Sequence, residues 1–323
     1  MSSVSTDPEC VLVTGGAGFI GSHLVDALVS RGSSVLVLDD LSTGKESNLE
    51  EHLSLAAPEA SRVELLVADI CGDLEASLAP YAGRIRRVAH LAAQVSVAES
   101  VEDPPRDVRI NLEGTARILE WSRRHGVQKL VFASSAAVYG DTPEVPTSEF
   151  SPLDPLSPYG IDKLAGEQMA RFYARTRGLR TSSLRFFNVY GPRQDPSNPY
   201  SGVISVFASR AGEGLPLRVH GDGRQTRDFV YVRDVAEAIV CALRSEASEL
   251  EPINIGTGRA VSILTLAERI IATLGAASEI ELGEARPGDI LHSRAIVERA
   301  RACLGFEART SLEEGLRQLL RAV

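Results

Sequence analysis

The first half of the chain alternates short apolar runs with segments of helical periodicity. The helical segments are 19–32, where Ile20, Leu24 and Leu28 form one stripe and Gly32 ends the helix, and then 108–125 and 157–178. The apolar runs that we predict as strands are 10–14, 34–40, 62–70, 86–92, 129–135 and 180–186. Alternation of this kind builds a doubly wound parallel sheet, so we predict an α/β fold.

The second half of the chain is less regular. It holds a turn, strand and helix at 221–243, a strand and turn at 252–258, and amphipathic helices at 264–275 and 312–323. We place a domain boundary near residue 187. Residues 1–187 then form the first domain and 188–323 a smaller α/β domain, with the strand and helix near 229–256 returning to the first.

Composition and charge limit the kinds of partner that the protein can bind. The 323 residues carry 34 Lys and Arg against 43 Asp and Glu, a formal net charge of −9. This balance argues against nucleic acid or a membrane as the main partner. The four cysteines are far apart, and we expect reduced, buried thiols. No apolar run is long enough to span a membrane and no signal peptide is visible, so we expect a cytoplasmic protein.

A glycine loop follows the first strand and opens the first helix. In "TGGAGFIG", Gly15, Gly18 and Gly21 let the backbone turn sharply and approach a pyrophosphate, which the free N–H groups of the helix bind. Asp39 ends the next strand, where an acid accepts hydrogen bonds from both ribose hydroxyls and repels a 2′-phosphate. The loop therefore predicts a dinucleotide site that prefers NAD to NADP.

A second group of residues could transfer a proton to or from a substrate. In "YGIDK", Tyr159 and Lys163 lie four residues apart, on one face of a helix. An ammonium near a phenol lowers its pKa, and a tyrosine so tuned exchanges a proton near neutral pH. Ser135 ends a strand in "KLVFASS" and could hydrogen-bond the same substrate oxygen. We interpret Tyr159, Lys163 and Ser135 as candidate catalytic residues.

Eight motifs occur in order along nearly the whole chain: "TGGAGFIG", "DDLSTG", "HLAAQVSVAES", "SSAAVYG", "SPYGIDK", "RFFNVYGPRQ", "QTRDFVYVRD" and "RPGD". Together they resemble the extended short-chain dehydrogenase/reductase family, within it the nucleotide-sugar epimerases and dehydratases. The resemblance implies a Rossmann fold for the NAD-binding domain, a nucleotide-sugar-binding second domain and no metal. Tyr159 would be the base, Lys163 its partner and NAD ligand, and Ser135 the hydrogen-bonding third member.

The resemblance also implies two sets of binding residues. Besides the glycines, Tyr159 and Lys163, the NAD site would be lined by Phe19, Ile20, Asp39, Asp40, Leu41, Ser42, Thr43, Gly44, Asp69, Ile70, Leu91, Ala92, Ala93, Gln94, Val95, Asn111 and Phe187. The sugar nucleotide would contact Ser135, Tyr159, Asn188, Arg227, Arg286, Asp289 and Ser293. Two arginines suit a diphosphate because each can bind it bidentately.

Two alanines after Ser135 narrow the reaction. Relatives that dehydrate a sugar carry an acid and a base at the positions of Ala136 and Ala137, and decarboxylases keep a glutamate before "VYG". Without these groups, hydride transfer would be the whole reaction, which predicts a 4-epimerase of a UDP-hexose. The alternatives are a UDP-glucuronate 4-epimerase, another nucleotide-sugar oxidoreductase, or a catalytically inactive NAD-sensing regulator.

Two further expectations follow from the resemblance. Ser293 replaces a bulky tyrosine that goes with plain hexoses, so an N-acetyl group on the sugar should be tolerated. The helices at 108–125 and 157–178 should pair with those of a second copy in a four-helix bundle, giving a homodimer. The candidate contacts are Ala116, Leu119, Ala165 and Met169.

Overall fold

A parallel sheet forms the centre of the first lobe. The computed structural model describes residues 10–53, 62–195, 202–285 and 290–321. Within these ranges the strands are β1 (Cys10–Thr14), β2 (Ser34–Asp39), β3 (Val63–Val67), β4 (Ile85–His90), β5 (Lys129–Ser135), β6 (Arg180–Phe186), β7 (Asn188–Tyr190), β8 (Leu217–His220), β9 (Thr226–Tyr231), β10 (Glu249–Ile255), β11 (Ala260–Ser262) and β12 (Ile280–Gly283). Seven of them form the large sheet, in the order β10-β6-β5-β4-β1-β2-β3, and all of its pairs are parallel.

The described α-helices are α1 (Phe19–Val29), α2 (Glu50–Leu53), α3 (Leu74–Leu78), α4 (Val97–Glu102), α5 (Pro104–Val108), α6 (Gly114–Arg124), α7 (Pro158–Thr176), α8 (Val203–Gly212), α9 (Val232–Arg244), α10 (Ile263–Leu274), α11 (Glu298–Leu304) and α12 (Leu312–Leu320). Helices cover both faces of the large sheet, whereas α8, α10 and α12 pack in the second lobe. Alternate side chains of β1 enter opposite cores: Val13 packs with Val37 and Leu24, whereas Leu12 packs with Ile118. The predicted doubly wound α/β fold is confirmed.

The second lobe has small sheets of its own. Strands β11, β9 and β7 form one, and β12 pairs with β8 in the other. Its core is lined by Phe207, Leu217, Leu266, Ile270 and Leu316. Its strand β7 starts two residues after β6 ends. The second lobe therefore begins at the carboxyl end of the large sheet's parallel strands.

The chain crosses between the lobes more than once. After β9 it forms α9, which packs on α1, and then β10, which pairs with β6 at the edge of the large sheet. The division of the chain into two domains at residue 187 stays a prediction.

The segment predicted as a helix at 108–125 is helical as far as Arg124, and a π-helical turn at Arg109–Glu113 joins α5 to α6 within it. The prediction of four buried thiols needs correction: no disulfide joins the four cysteines, which are all described, but Cys241 and Cys303 are half-buried, since each lies at the rim of the core rather than within it. Among the described residues, none of the helices combines the length and the apolar character that crossing a bilayer requires.

Candidate functional site

The glycine turn between β1 and α1 has no room for side chains. Gly15 has a φ of +71°, and a Cβ there would lie 2.7 Å from the backbone nitrogen of Ala92. A Cβ on Gly21 would overlap the Gly15 carbonyl, so only glycine lets α1 approach β1 this closely. Gly18 is the N-cap of α1 and caps it with no side chain. Phe19 and Ile20, the first residues of α1, are half-buried. The N–H groups of this helix end therefore remain available to an anion.

Asp39 lies at the carboxyl end of β2, beside the glycine turn. Its Oδ2 accepts a hydrogen bond from the N–H of Ala17, and its Oδ1 accepts one from the N–H of Leu41, each at 2.9 Å. Burial raises the pKa of this carboxyl, and the two backbone N–H groups oppose the rise. The contacts hold the carboxylate next to Gly44, whose Cβ would lie 2.8 Å from Oδ1. A hydrogen-bond acceptor therefore lies at the position where the sequence predicts the ribose of NAD.

The loop after β4 joins the same site. Leu91 and Ala92 are hydrogen-bonded to Thr14, at the end of β1. Asn111, in the π-helical turn, accepts from the N–H of Gln94 and donates to its carbonyl, both at 2.9 Å. Because π turns are often found at functional sites, this double contact between helix and loop is consistent with a binding role.

Ser135, Tyr159 and Lys163 are brought together at the ends of β5 and α7. The Ser135 Oγ accepts from the N–H of Ala137 at 3.1 Å, which leaves its hydroxyl hydrogen to donate within reach of the Tyr159 phenol. Lys163 is buried, donates to the Ala133 carbonyl at 2.9 Å and has its Nζ 5.7 Å from the Tyr159 ring centroid. Three groups that can exchange protons or hydrogen bonds therefore meet at one point.

Burial dominates the protonation of this trio. It raises the pKa of Tyr159, and a hydrogen bond from Ser135 opposes the rise. That Lys163 lowers this pKa stays a prediction. Burial lowers the pKa of Lys163 to about 8, against the attraction of Asp107 and Asp162. A positive charge brought by a ligand would help the phenol to ionise.

The remaining predicted cofactor residues lie along the same end of the sheet. Asp69 follows β3, is exposed and accepts from the N–H of Cys71, while Ile70 is buried beside Gly114. Phe187 follows β6, is buried and packs on Tyr139. Exposed or half-buried positions of the loops after β2 and β4 complete the set: Asp40, Leu41, Ser42, Thr43, Ala93 and Val95. In open α/β sheets this end is where ligands bind.

The predicted sugar-nucleotide residues lie in the second lobe. Asn188 is exposed at the start of β7, which pairs with β9. Arg227 on β9 is half-buried and donates to the Ile290 carbonyl at 2.6 Å, and the N–H of Ser293 donates to the Thr226 carbonyl at 3.1 Å. Arg286 and Asp289 lie outside the described residues. Asn188 and Arg227 thus lie on adjacent strands, and Ser293 lies on the irregular segment bound to the start of β9.

Sequence reasoning missed two buried carboxyl groups beside Lys163. Asp107 on α5 and Asp162 on α7 are 1% and 3% exposed. Asp107 accepts hydrogen bonds from Gln94 and Asn111, each at 2.9 Å. The spacing of Asp107 and Asn111, four residues apart, and the position of Asp162 next to Lys163 were visible signals. The contact between the two helices was not.

The site fits NAD on the strength of its own geometry. The turn at Gly15, Gly18 and Gly21 excludes side chains from the helix N-terminus, where a pyrophosphate needs close approach, and Asp39 supplies the ribose acceptor. His90 binds Thr14 and Thr115 behind the turn, and burial lowers its pKa to about 3, so it stays neutral and holds the strand ends in place.

Comparisons with known proteins agree with this geometry. The family model described as "NAD dependent epimerase/dehydratase family" matches residues 11–256. A UDP-glucose 4-epimerase of Mycolicibacterium smegmatis is 42% identical over 307 residues, 94% of this chain and 95% of that protein. The crystal structure of a UDP-glucose 4-epimerase from Thermotoga maritima with UDP-glucose has a TM-score of 0.89 at 39% identity, covering 97% of this chain and 98% of that one. That of a Thermus thermophilus UDP-glucose 4-epimerase with NAD has a TM-score of 0.85 at 40% identity, with the same coverage. The sequence resemblance is thereby confirmed: the chain belongs to the NAD dependent epimerase/dehydratase family.

Proposed function

We propose that this protein is a NAD-dependent UDP-hexose 4-epimerase, which inverts C4 of UDP-glucose and UDP-galactose through a 4-keto sugar. The observation that carries the proposal is the grouping of Ser135, Tyr159 and Lys163 beside the turn Ala136–Tyr139, whose first two residues are alanines. The similarity to UDP-glucose 4-epimerases over nearly the whole chain supports it.

The chain's own residues divide the work. Tyr159, as phenolate, takes the proton of the sugar 4-hydroxyl and returns it to the same oxygen after the keto sugar has presented its other face. Ser135 donates a hydrogen bond to the same oxygen, and the Lys163 ammonium adds positive charge beside the phenol. Bound NAD supplies a reversible acceptor for the C4 hydride.

The site should bind the diphosphate tightly and the sugar weakly, because the keto sugar must rotate to present its other face between the two hydride transfers. Asn188 and Arg227, with Arg286, are the proposed diphosphate ligands. Ala136 and Ala137 carry no acid or base, so elimination of water or carbon dioxide has no catalyst at this turn.

The test is a panel of UDP-sugars assayed without added NAD. Conversion of UDP-glucose to its 4-epimer, together with bound-NAD absorbance that shifts when the sugar is added, would support the proposal. Turnover of UDP-glucuronate alone would favour the glucuronate epimerase instead. Tight NAD binding with no turnover of any sugar would favour an NAD-sensing regulator, although the retained trio of Ser135, Tyr159 and Lys163 argues against that role.

We further propose that the enzyme is a homodimer built on α6 and α7. Ala116, Ala165 and Met169 are half-buried in the single chain and so are available to a partner. Leu119 is not such a contact, because it is 0% exposed and lies in the subunit's own core. A cytoplasmic location stays a prediction.

A further inference from the structure

Two carboxyl groups face each other beneath the catalytic helix. Asp107 on α5 and Asp162 on α7 are neighbours where these two helices pack together, and both are almost fully buried. Within the described part of the chain, no donor reaches the Oδ2 atom of either residue. Two ionised carboxylates would repel each other strongly at this depth, where little solvent screens them. A proton between them removes the repulsion and gives both oxygens a partner.

The surroundings decide which residue carries the proton. Asp107 Oδ1 accepts two hydrogen bonds, from the side-chain amides of Gln94 and Asn111, and such bonds stabilise the ionised form. Among the described residues, no side-chain amide donates to Asp162, so this carboxyl is the better place for the proton.

We propose that Asp162 carries a proton in mildly acidic solution, up to about neutral pH, and donates a hydrogen bond to the Asp107 carboxylate, which fastens the catalytic helix α7 to the loop 91–95. The connection runs from Asp162 through Asp107 to Asn111 and Gln94, whose backbone is held by Asn111 on both sides. Asp162 adjoins Lys163 in the chain, so the connection fixes this member of the catalytic trio to the predicted cofactor loop. Asp162 is thus a positioning residue, one that touches neither sugar nor cofactor.

The electrostatics of the pair agree with this assignment. Burial and the neighbouring Asp107 raise the pKa of Asp162 to about 7. The charged and titratable groups that act on the pair are Lys163 and Tyr159 on α7, and His90 on β4 lies beside Lys163, where burial and then the ammonium lower its pKa. Lys163 opposes the rise at Asp162, and His90 is neutral. The pair therefore leaves one negative charge opposite one ammonium.

A direct test needs no substrate and no assumption about the reaction. Aspartate labelled with 13C at the carboxyl carbon is followed by NMR through a pH titration of the purified protein. We expect a resonance that titrates near pH 7, far above the ordinary aspartate value of about 3.9, and that is absent in Asp162→Asn. The control Asp141→Asn alters an exposed carboxyl and should keep the resonance. An unchanged high-pH resonance in Asp162→Asn, or none in the parent, overturns the proposal.

Stability gives a second readout, with a definite sign. Because the pKa of Asp162 is raised in the fold, its protonated form contributes stability that is present at low pH and lost as the pH rises from about 4 through about 7. The urea midpoint of the parent should therefore fall over this range relative to that of Asp162→Asn, which cannot titrate. Parallel curves for parent and variant would contradict the assignment.

The catalytic consequence rests on the proposed function. The asparagine of Asp162→Asn can still donate to Asp107, so it should retain most of kcat, whereas Asp162→Ala breaks the connection and should lower kcat about tenfold with KM for UDP-glucose unchanged. Equal losses in both variants would mean that the hydrogen bond has no positioning role. If the parent has no epimerase activity, the proposed function fails, while the titration and the urea curves still decide whether the pair shares a proton.

Discussion

Tyr159 is the residue on which the proposed reaction depends most directly. The phenol lies within reach of Ser135 and shares a helix face with Lys163. Tyr159→Phe removes one oxygen and keeps the ring, so the fold should survive while kcat falls by about 10²–10⁴-fold, the usual contribution of a general base. Steady-state kinetics and circular dichroism measure the two effects. Tyr81→Phe, far from the trio, is the control, and full activity in Tyr159→Phe would refute the mechanism.

Asp39 tests the choice between NAD and NADP. Asp39→Asn keeps an oxygen acceptor of the same shape but removes the charge that repels a 2′-phosphate. We expect weaker NAD binding and a clear gain in NADP binding, both measured by calorimetry. Asp39→Ala should also relax the discrimination, but it leaves the N–H groups of Ala17 and Leu41 without their acceptor, at a cost of about 1–3 kcal/mol in stability. Rejection of NADP as strong as the parent's in Asp39→Asn would place the ribose elsewhere.

For single residues, the sequence predicts where a side chain lies in the fold better than it predicts the direction of its pKa shift. The glycine turn, Asp39, Ser135, Tyr159 and Lys163 could all be placed from strand ends and helical spacing, because both are local properties of the chain. The direction of the Tyr159 pKa could not, since it depends on burial by distant segments. The pairing of Asp107 with Asp162 was hidden for the same reason: 54 intervening residues separate the two aspartates in the chain.

Among the elements, the segment after residue 290 should control which sugars are accepted. It runs beside β9, where the N–H of Ser293 and the side chain of Arg227 tie it to the strand. We expect the parent to turn over UDP-N-acetylglucosamine as well as UDP-glucose. Ser293→Tyr adds a phenol ring, and overpacking a tight site costs on the order of 1–3 kcal/mol or more. The variant should therefore lose the N-acetylated substrate and keep the plain hexose.

The measurement is the ratio of kcat/KM for the two sugars in parent and variant. Ser30→Tyr, which adds the same ring at an exposed position after α1, is the matched control and should leave the ratio alone. A ratio that Ser293→Tyr does not change would show that the pocket is closed by another residue.

Helix and strand positions followed well from periodicity, except where tertiary contacts reshape an element. The clearest case is the π-helical turn inside the predicted helix at 108–125. Apolar spacing there is that of an ordinary helix. The extra residue per turn accompanies the contact of Asn111 with Gln94 on a loop of the sheet, which no local pattern reveals.

For the whole molecule, the proposed dimer can be tested on α7. Ala165→Glu places a charge at a half-buried position of the proposed helical bundle, where a two-fold axis would bring the same charge from the second copy nearby. Light scattering at micromolar concentration should give a dimer for the parent and a smaller average mass for the variant. Ala272→Glu, on the exposed face of α10, should leave the mass of the parent. A monomeric parent would refute the dimer.

The position of β10 at the edge of the large sheet constrains how the protein can be made. Strand β6 ends at Phe186, yet its neighbour β10 is complete only at Ile255, after much of the second lobe has been synthesised. At translation rates of about 5–20 residues per second, the edge of β6 waits roughly 3 to 14 seconds on the ribosome without its partner. An unpaired strand edge is a site of aggregation. Nascent chains stalled between these strands should therefore engage chaperones far more than chains released after residue 255.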